Sequence, residues 1–354
     1  MRPQRIHAIF RVQNAPDQIG TPMARYLVSG GAGYVGSHLV LTLLDAGHEV
    51  VVVDDLSTGH RGAVAPGATF IQASLSERRR LDDIFAAWKF DAVFHLAALS
   101  LVGESMQQPL RYCRENLANS VNLAEAAVKG GCLKYVLSST AAVFGVPKSV
   151  PITEEAETTP VNPYGLSKLM MEQALAWAES AHGLRSASLR YFNAAGADPR
   201  GRAGEDHEPE THLIPRAILA TLGHLPPLHV FGTDYDTPDG TAVRDYVHVM
   251  DLAAAHIAVL PRLDQGSVRY NLGNGAGHSV REVMAAVERV SGRKVPHENG
   301  PRRAGDPPAL VASSALIRAE TGWRPQHASL DEIVRTAWNW HLAHPQGYGA
   351  REAA

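Results

Sequence analysis

From Arg25 onward the chain alternates short β-branched, apolar runs with amphipathic segments, and this rhythm constrains its fold more than any other feature. A strand followed by a crossover helix and a second parallel strand is a βαβ unit, and repeating the unit builds a parallel sheet covered by helices on both faces. Strands covered on both faces read as continuous apolar runs rather than as an alternation. Five segments fit: ArgTyrLeuVal at 25–28, ValValValValAsp at 50–54, ValPheHisLeu at 93–96, TyrValLeuSer at 135–138 and AlaSerLeuArg at 187–190. Helices are predicted at about 36–46, 80–88, 105–129 and 164–182, with Gly130-Gly131 stopping the third.

The turn after the first strand carries chemistry. Gly30, Gly33 and Gly36 lie in GlyGlyAlaGlyTyrValGly, between the strand end at Ser29 and the helix opening near Tyr34. Glycine suits a turn with unusual backbone angles, and it lets a diphosphate approach the main chain and the helix N-terminus with no Cβ in the way. This GxxGxxG spacing is a variant of the dinucleotide fingerprint. Asp54 ends the second strand, 18 residues after Gly36, where a carboxylate can accept hydrogen bonds from both ribose hydroxyls of an adenosine. Asp54 and Asp55 together repel a 2′-phosphate, so the expected cofactor is NAD rather than NADP, with Arg61 the nearest basic residue downstream.

The fold class expected is therefore α/β, a Rossmann-type doubly wound parallel sheet with a smaller C-terminal α/β substrate domain. At 354 residues the chain has room for two compact units. The texture changes after Asn193, where the run 194–204, AlaAlaGlyAlaAspProArgGlyArgAlaGly, has the composition of a loop that neither a strand nor a long helix accommodates. Further helices are predicted near 211–223, 250–260, 279–291 and 330–342, among Pro226-Pro227, Pro301 and Pro307-Pro308. The expected division is a disordered leader over 1–24, an NAD-binding domain over 25–193, and a substrate domain mainly over 194–348 with segments returning to the first.

Charge and sulfur narrow the partners. Lys and Arg total 33 against 36 Asp and Glu, a net charge of -3, so no global positive field attracts nucleic acid or an anionic membrane. An anionic ligand must be held by local arginines. Cys113 and Cys132 form neither a CxxC pair nor a disulfide framework, and no run approaches 18 uninterrupted apolar residues, which points to a cytoplasmic protein. The 17 histidines show no HExxH or similar spacing, so no metal is expected, and His95 is read as a hydrogen-bonded core residue.

Tyr164 and Lys168 are four apart on the helix after Asn162-Pro163, which places them one turn apart on one face. An ammonium beside a phenol favours the phenolate, and an oxidised nicotinamide adds positive charge, so Tyr164 is the candidate base. Thr140 ends the strand TyrValLeuSerSerThr, at the edge of the crevice where such sheets bind ligands, and supplies a hydroxyl partner.

GlyGlyAlaGlyTyrValGlySerHis at 30–38, Asp54, SerSerThrAlaAlaValPheGly at 138–145, TyrGlyLeuSerLys at 164–168, ArgTyrPheAsn at 190–193 and ValArgAspTyrValHis at 243–248 occur in order. Together they resemble the extended short-chain dehydrogenase/reductases, and more closely the UDP-glucose 4-epimerase branch of that family, from about Arg25 to near Tyr348. The resemblance implies that Thr140, Tyr164 and Lys168 activate the sugar C4 hydroxyl. Hydride passes to tightly held NAD, and a 4-keto sugar turns over to take the hydride back on its opposite face. It implies cofactor contacts from Gly30, Gly33, Tyr34, Val35, Gly36, Asp54, Asp55, Ser74, Leu75, Leu96, Ala97, Ala98, Asn116, Tyr164, Lys168 and Tyr191. The UDP-sugar would meet Thr140, Asn193, Phe231, Arg244, Tyr246, Arg303 and Asp306, with Arg244 and Arg303 on the diphosphate and Asp306 on the ribose. It also implies a homodimer packed through the long helices of the first domain.

Departures from that pattern are Ser74 where the family often has an Asp against the adenine, Ser100 where some members have a Lys, and Phe144 in place of a Tyr. ThrHisLeuIle at 211–214 stands where others carry paired asparagines, and Leu310 occupies the position that governs room for an N-acetyl group at C2. The alternatives are a 4-epimerase of another UDP-sugar (N-acetylhexosamine, pentose or hexuronate) and a non-catalytic dinucleotide-binding protein. A 4,6-dehydratase needs a further acid and base where Ala141-Ala142 stand.

Overall fold

The computed structural model describes residues 23–303 and 306–349, so the leader over 1–22 lies outside the described residues. β1 (Arg25–Ser29), α1 (Tyr34–Asp45) and β2 (Glu49–Asp54) form the first βαβ unit, continued by β3 (Thr69–Gln72), α2 (Arg78–Ala87) and β4 (Ala92–His95). Next come α3 (Val102–Gln107), α4 (Pro109–Tyr112), α5 (Asn119–Lys129), β5 (Lys134–Thr140), α6 (Pro163–His182), β6 (Arg185–Tyr191) and β7 (Asn193–Ala195). The second half contains α7 (Leu213–Leu222), β8 (Leu228–Phe231), β9 (Val243–His248), α8 (Val249–Ala258), β10 (Val268–Leu272) and β11 (Gly277–Ser279). It closes with α9 (Val280–Ser291), β12 (His297–Gly300), β13 (Ala309–Leu310), α10 (Ala315–Thr321) and α11 (Leu330–Ala343).

The main sheet has seven parallel strands in the order β10-β6-β5-β4-β1-β2-β3. The chain winds outward from β1 to β3, then returns to add β4 on the other side of β1, and this reversal opens a crevice at the carboxyl ends of the strands. Successive side chains point to opposite faces. Val28, Val52, Phe94 and Leu189 enter one core with Leu39 and Leu252, while Leu27, Val51, Val93 and Leu137 enter the other with Leu81 and Met171. Both faces of the sheet are covered by apolar side chains, which is why the strands read as unbroken apolar runs.

Two expectations are corrected. The helix predicted over 105–129 is four pieces: Pro109, which cannot continue a preceding helix, restarts the chain as α4, and Cys113–Ala118 then winds as a π-helix before α5. The run after Asn193 opens in a strand, since β7 pairs in parallel with β9, Ala194 opposite Val247. Its small residues concealed a pairing that depends on a partner some fifty positions away. β1 starts at Arg25, and the Ala24 carbonyl just before it accepts a bond from the Glu49 amide at 2.9 Å.

β9 also pairs with β11 and β13, and β8 with β12, giving two small sheets that carry a third core around Ile218, Tyr246, Val287 and Val334. No described helix is long and apolar enough to cross a membrane.

Candidate active site

The candidate dinucleotide end is built from three loops at the top of the main sheet. Gly30 turns the chain at φ 77°, its amide bonded to the Val53 carbonyl at 3.0 Å. A Cβ on Gly36 would lie 2.0 Å from the Gly30 carbonyl oxygen, so only glycine lets the first turn of α1 sit on the loop. Gly33 precedes α1 and supplies no side-chain cap, which leaves the first-turn amides and the positive end of the helix available to an anion. Val35 is half-buried on that turn, whereas the Tyr34 ring faces the second half of the chain and its hydroxyl donates to the Gly196 carbonyl at 2.6 Å. The Leu96 and Ala97 amides both bond the Ser29 carbonyl, at 2.9 and 3.1 Å, and bring half-buried Leu96, Ala97 and Ala98 against the glycine turn.

Asp54 accepts from the Ala32 amide at 3.0 Å and the Leu56 amide at 2.9 Å. Burial nevertheless raises its carboxyl above the usual range, against the pull of those two bonds. Leu56 adopts φ 62°, a left-handed conformation costly for a γ-branched side chain and held here by the Asp54 bond. Asp55 is exposed and accepts from the Ser57 amide at 2.9 Å. Arg61 lies 4.5 Å over the Phe70 ring. The Ser74 amide donates to Glu77 at 2.8 Å, and the Leu75 carbonyl accepts from Asn122 at 3.0 Å. Asn116 sits within the π-helical turn, where its amide accepts from Leu99 N at 2.8 Å and donates to Leu99 O at 3.0 Å and Ser167 Oγ at 3.1 Å. It clamps the loop after β4 onto α6, while Ser100 beside it is exposed.

The candidate reactive group lies at the carboxyl end of β5. Asn162 caps α6 by accepting from the Gly165 amide at 2.8 Å with Pro163 in the first turn, the local rule that starts the helix there. A Cβ on Gly165 would fall 2.5 Å from the Ala142 carbonyl oxygen, so the helix closes on the segment after Thr140 as only glycine permits. Tyr164 is thereby brought near the Thr140 hydroxyl, which lowers its phenol and accepts from Ala142 N at 3.1 Å.

Here the electrostatics differ from the sequence expectation. Surrounding protein raises the Tyr164 phenol, and the Thr140 hydroxyl pulls it down again in part. The Lys168 amine is buried and donates to the Ser138 carbonyl at 2.7 Å; burial lowers it to about 8, opposed by Glu172 one turn along. Glu172 in turn accepts from Ser139 Oγ at 2.5 Å and from Arg190 at 3.0 and 2.6 Å, and Arg190 lies over the Phe144 ring at 5.0 Å. Sequence reasoning missed Glu172 and Arg190, whose only signal is that Glu172 continues the Tyr164–Lys168 face.

His95 is a core residue. The Ser120 hydroxyl donates to the Asn116 carbonyl, so it accepts from His95 Nε2, and Nδ1 accepts from Ser29 Oγ at 2.7 Å. Burial lowers its pKa to about 3, with the Lys168 charge adding to the effect. Tyr191, opposite Thr140 in register, directs its hydroxyl to His256 in the core, so its side chain is already engaged.

The residues expected at the sugar nucleotide form two groups. Asn193 donates to the Asp245 carbonyl at 2.9 Å, buried Tyr246 lies opposite it in the β7–β9 pair, and Leu310 stands opposite Arg244 on β13. Arg244 pairs with Asp306, so the expected diphosphate and ribose contacts hold one another. At the β8 end the Arg303 guanidinium lies 3.8 Å over the Phe231 ring. Glu205, His207, Glu210 and His212 also converge, beside Tyr34, whose ring meets that of His207 edge-on. Their Glu-x-His-x-x-Glu-x-His spacing is legible in the sequence but differs from the metal patterns sought there.

Residues 26–273 match the model of the NAD dependent epimerase/dehydratase family. The chain is 50% identical over 326 residues to a UDP-glucose 4-epimerase of Lacticaseibacillus casei, covering 92% of this chain and 98% of that protein. It superposes with a TM-score of 0.87 and 44% identity on the UDP-glucose 4-epimerase of Brucella ovis in complex with NAD, covering 89% and 98% of the two chains. The enzyme of the same name from Bifidobacterium longum, in complex with NAD+ and UDP, matches with a TM-score of 0.87 and 37% identity over 91% and 99%.

Proposed function

The chain belongs to the NAD dependent epimerase/dehydratase family, and on that premise we propose that it interconverts UDP-galactose and UDP-glucose at the sugar C4. The observation that carries the reading is near full-length agreement with UDP-glucose 4-epimerases, combined with Thr140 at the end of β5 and with Tyr164 and the buried Lys168 one turn apart on α6. The loops at the top of the main sheet fit NAD. The uncapped α1 terminus offers amides to a diphosphate, Asp54 offers its carboxylate to a ribose diol, and Arg61 is stacked on Phe70 rather than set to receive a 2′-phosphate. NAD, when bound, supplies a reversible two-electron acceptor for the C4 carbinol. Tyr164 takes the proton of the C4 hydroxyl and returns it, with Thr140 orienting the exchange and the Lys168 ammonium, one helical turn away, adding positive charge to the site. Arg244 and Arg303 fork onto the UDP diphosphate, Asp306 leaves Arg244 for the ribose hydroxyls, and Asn193, Tyr246 and Phe231 line the pocket. Holding the diphosphate firmly leaves the hexose free to turn.

In this reading the seven-stranded sheet carries the dinucleotide and the β9 sheet the sugar nucleotide, with β10 joining the second half to the first. We further propose a cytoplasmic homodimer. Leu110 on α4 and Trp177 on α6 are 81 and 77% exposed, and an interface through these helices covers both. The mass of the protein in solution tests that assembly. The activity is tested by incubating purified protein with UDP-galactose, no cofactor added, and identifying the product by NMR. UDP-glucose formed by a protein that releases NAD on denaturation supports the reading. Stoichiometric NADH release, or turnover of other UDP-sugars only, overturns it.

A further inference from the structure

Outside the reaction centre, the segment before α7 gathers four metal-binding side chains. Glu205, His207, Glu210 and His212 each bring one donor atom into a shared volume, all within 4.8 Å of one another. Both histidines present Nδ1 to the same carboxylate pair. The His207 nitrogen is 3.2 Å from Glu205 and 3.7 Å from Glu210, and the His212 nitrogen is 2.5 and 3.6 Å from them. The Glu205 and Glu210 side chains are only 4 and 6% exposed, so two carboxylates lie withdrawn from water and require compensating positive charge. His207 Nδ1 is itself buried without a well-formed hydrogen bond, although it points at both acids.

We propose that these four residues bind one divalent cation of the zinc class. Tetrahedral coordination with bonds of about 2.1 Å gives ligand–ligand edges of roughly 3.4 Å. The His207–Glu205 separation of 3.2 Å lies near that edge, Glu210 comes within 3.7 Å of His207 through one oxygen and 3.6 Å of His212 through the other, and the 2.5 Å His212–Glu205 contact is a hydrogen bond that opens when the cation replaces its proton. Two imidazoles with two carboxylates suit Zn²⁺, whereas Ca²⁺ and Mg²⁺ favour all-oxygen shells. The cation binds neutral imidazoles, and any proton they carry leaves to solvent. The outer shell is present too: Glu210 accepts from the His212 amide at 2.7 Å, and the Glu205 carbonyl accepts from the Trp340 indole at 3.2 Å. The ion thus ties the loop beside Tyr34 to the start of α7 and to α11.

The test uses the full-length, untagged, NAD-bearing protein, stripped with a chelator and titrated with Co²⁺ and then Zn²⁺. The expected result is one equivalent of Co²⁺ per chain with the intense visible bands of a tetrahedral nitrogen/oxygen site, bleached by Zn²⁺. His207→Gln and His212→Gln each weaken binding at least tenfold, and the double substitution removes it. Absence of tetrahedral bands in the parent protein overturns the proposal, as does an unchanged titration in the double variant. If the double variant does not fold, as judged by circular dichroism and retained NAD, the parent spectrum and Glu210→Gln decide: unweakened binding in Glu210→Gln then counts against the site.

Discussion

A proton relay is only as good as the residue that gives and takes the proton. Replacing Tyr164 with Phe removes one hydroxyl from a half-buried ring and leaves α6 intact, so the variant should fold and keep NAD while losing about 10²–10⁴ in turnover. Full activity with intact dinucleotide absorbance would remove Tyr164 from the proposed role. In the proposed relay Lys168 sets the pH behaviour. With its amine lowered to about 8, the ammonium is present at neutral pH and lost above, so kcat/KM should fall as pH rises through about 8. Lys168→Met should abolish that limb; a limb that persists in the variant belongs to another group. For stability the sign is opposite. The unfolded chain holds this proton up to its ordinary range near 10.4, so between about 8 and 10 the unfolded state binds more protons and the group's contribution to stability rises with pH. At this scale the placement of the candidate residues was legible: Tyr164 and Lys168 one turn apart on a helix and Asp54 at a strand end. The Lys168 bond to Ser138 was not legible, because it depends on how closely α6 lies on β5.

Between the elements, the π-helical turn does what no sequence window suggested. It carries Asn116 into the interior, where one side-chain amide meets both backbone polar groups of Leu99 and the Ser167 hydroxyl. Asn116→Ala leaves the Leu99 amide and carbonyl without this partner at a buried point, a loss of about 1–3 kcal/mol. The same substitution should loosen the loop of Leu96–Ala98 and speed NAD release, measured by denaturant unfolding and by dinucleotide exchange. Unchanged exchange with lowered stability would confine Asn116 to packing. β1, β2, β4, β5 and β6 were read within a few residues of their ends, because burial on both faces leaves a continuous apolar signature, whereas the edge strand β3, with Thr69 and Gln72 exposed, was not read. The 105–129 segment was misread because apolar periodicity does not distinguish α from π winding, and β7 because three small residues become a strand only when β9 is beside them.

Across the whole molecule, one buried carboxylate fastens the small sheet to the large one. Asp245 on β9 accepts from Asn274 N at 2.8 Å, Gly275 N at 3.0 Å and Ala312 N at 3.1 Å, linking it to the chain leaving β10 and the chain leaving β13. Burial raises its pKa to about 6 despite these bonds. The native state therefore binds more protons than the unfolded chain between about pH 4 and 6, and this group's contribution to stability declines as pH rises through that window. Asp245→Asn offers an NH₂ where an amide already donates, so it should cost about 1–3 kcal/mol and flatten the pH dependence below 6. Equal thermal stability of the two proteins across that range would refute the assignment. None of this was visible in ValArgAspTyrVal, since its partners lie about 30 and 67 positions on.

The seventh strand carries a different consequence. β10, though drawn from the later part of the chain, covers the flank of β6 along Ala187–Tyr191. A fragment ending at residue 193 would leave that flank with a row of bare amides and carbonyls, a template for self-association. The two halves are thus not interchangeable modules: a polypeptide emerging from the ribosome cannot seal its first half until the second has been translated.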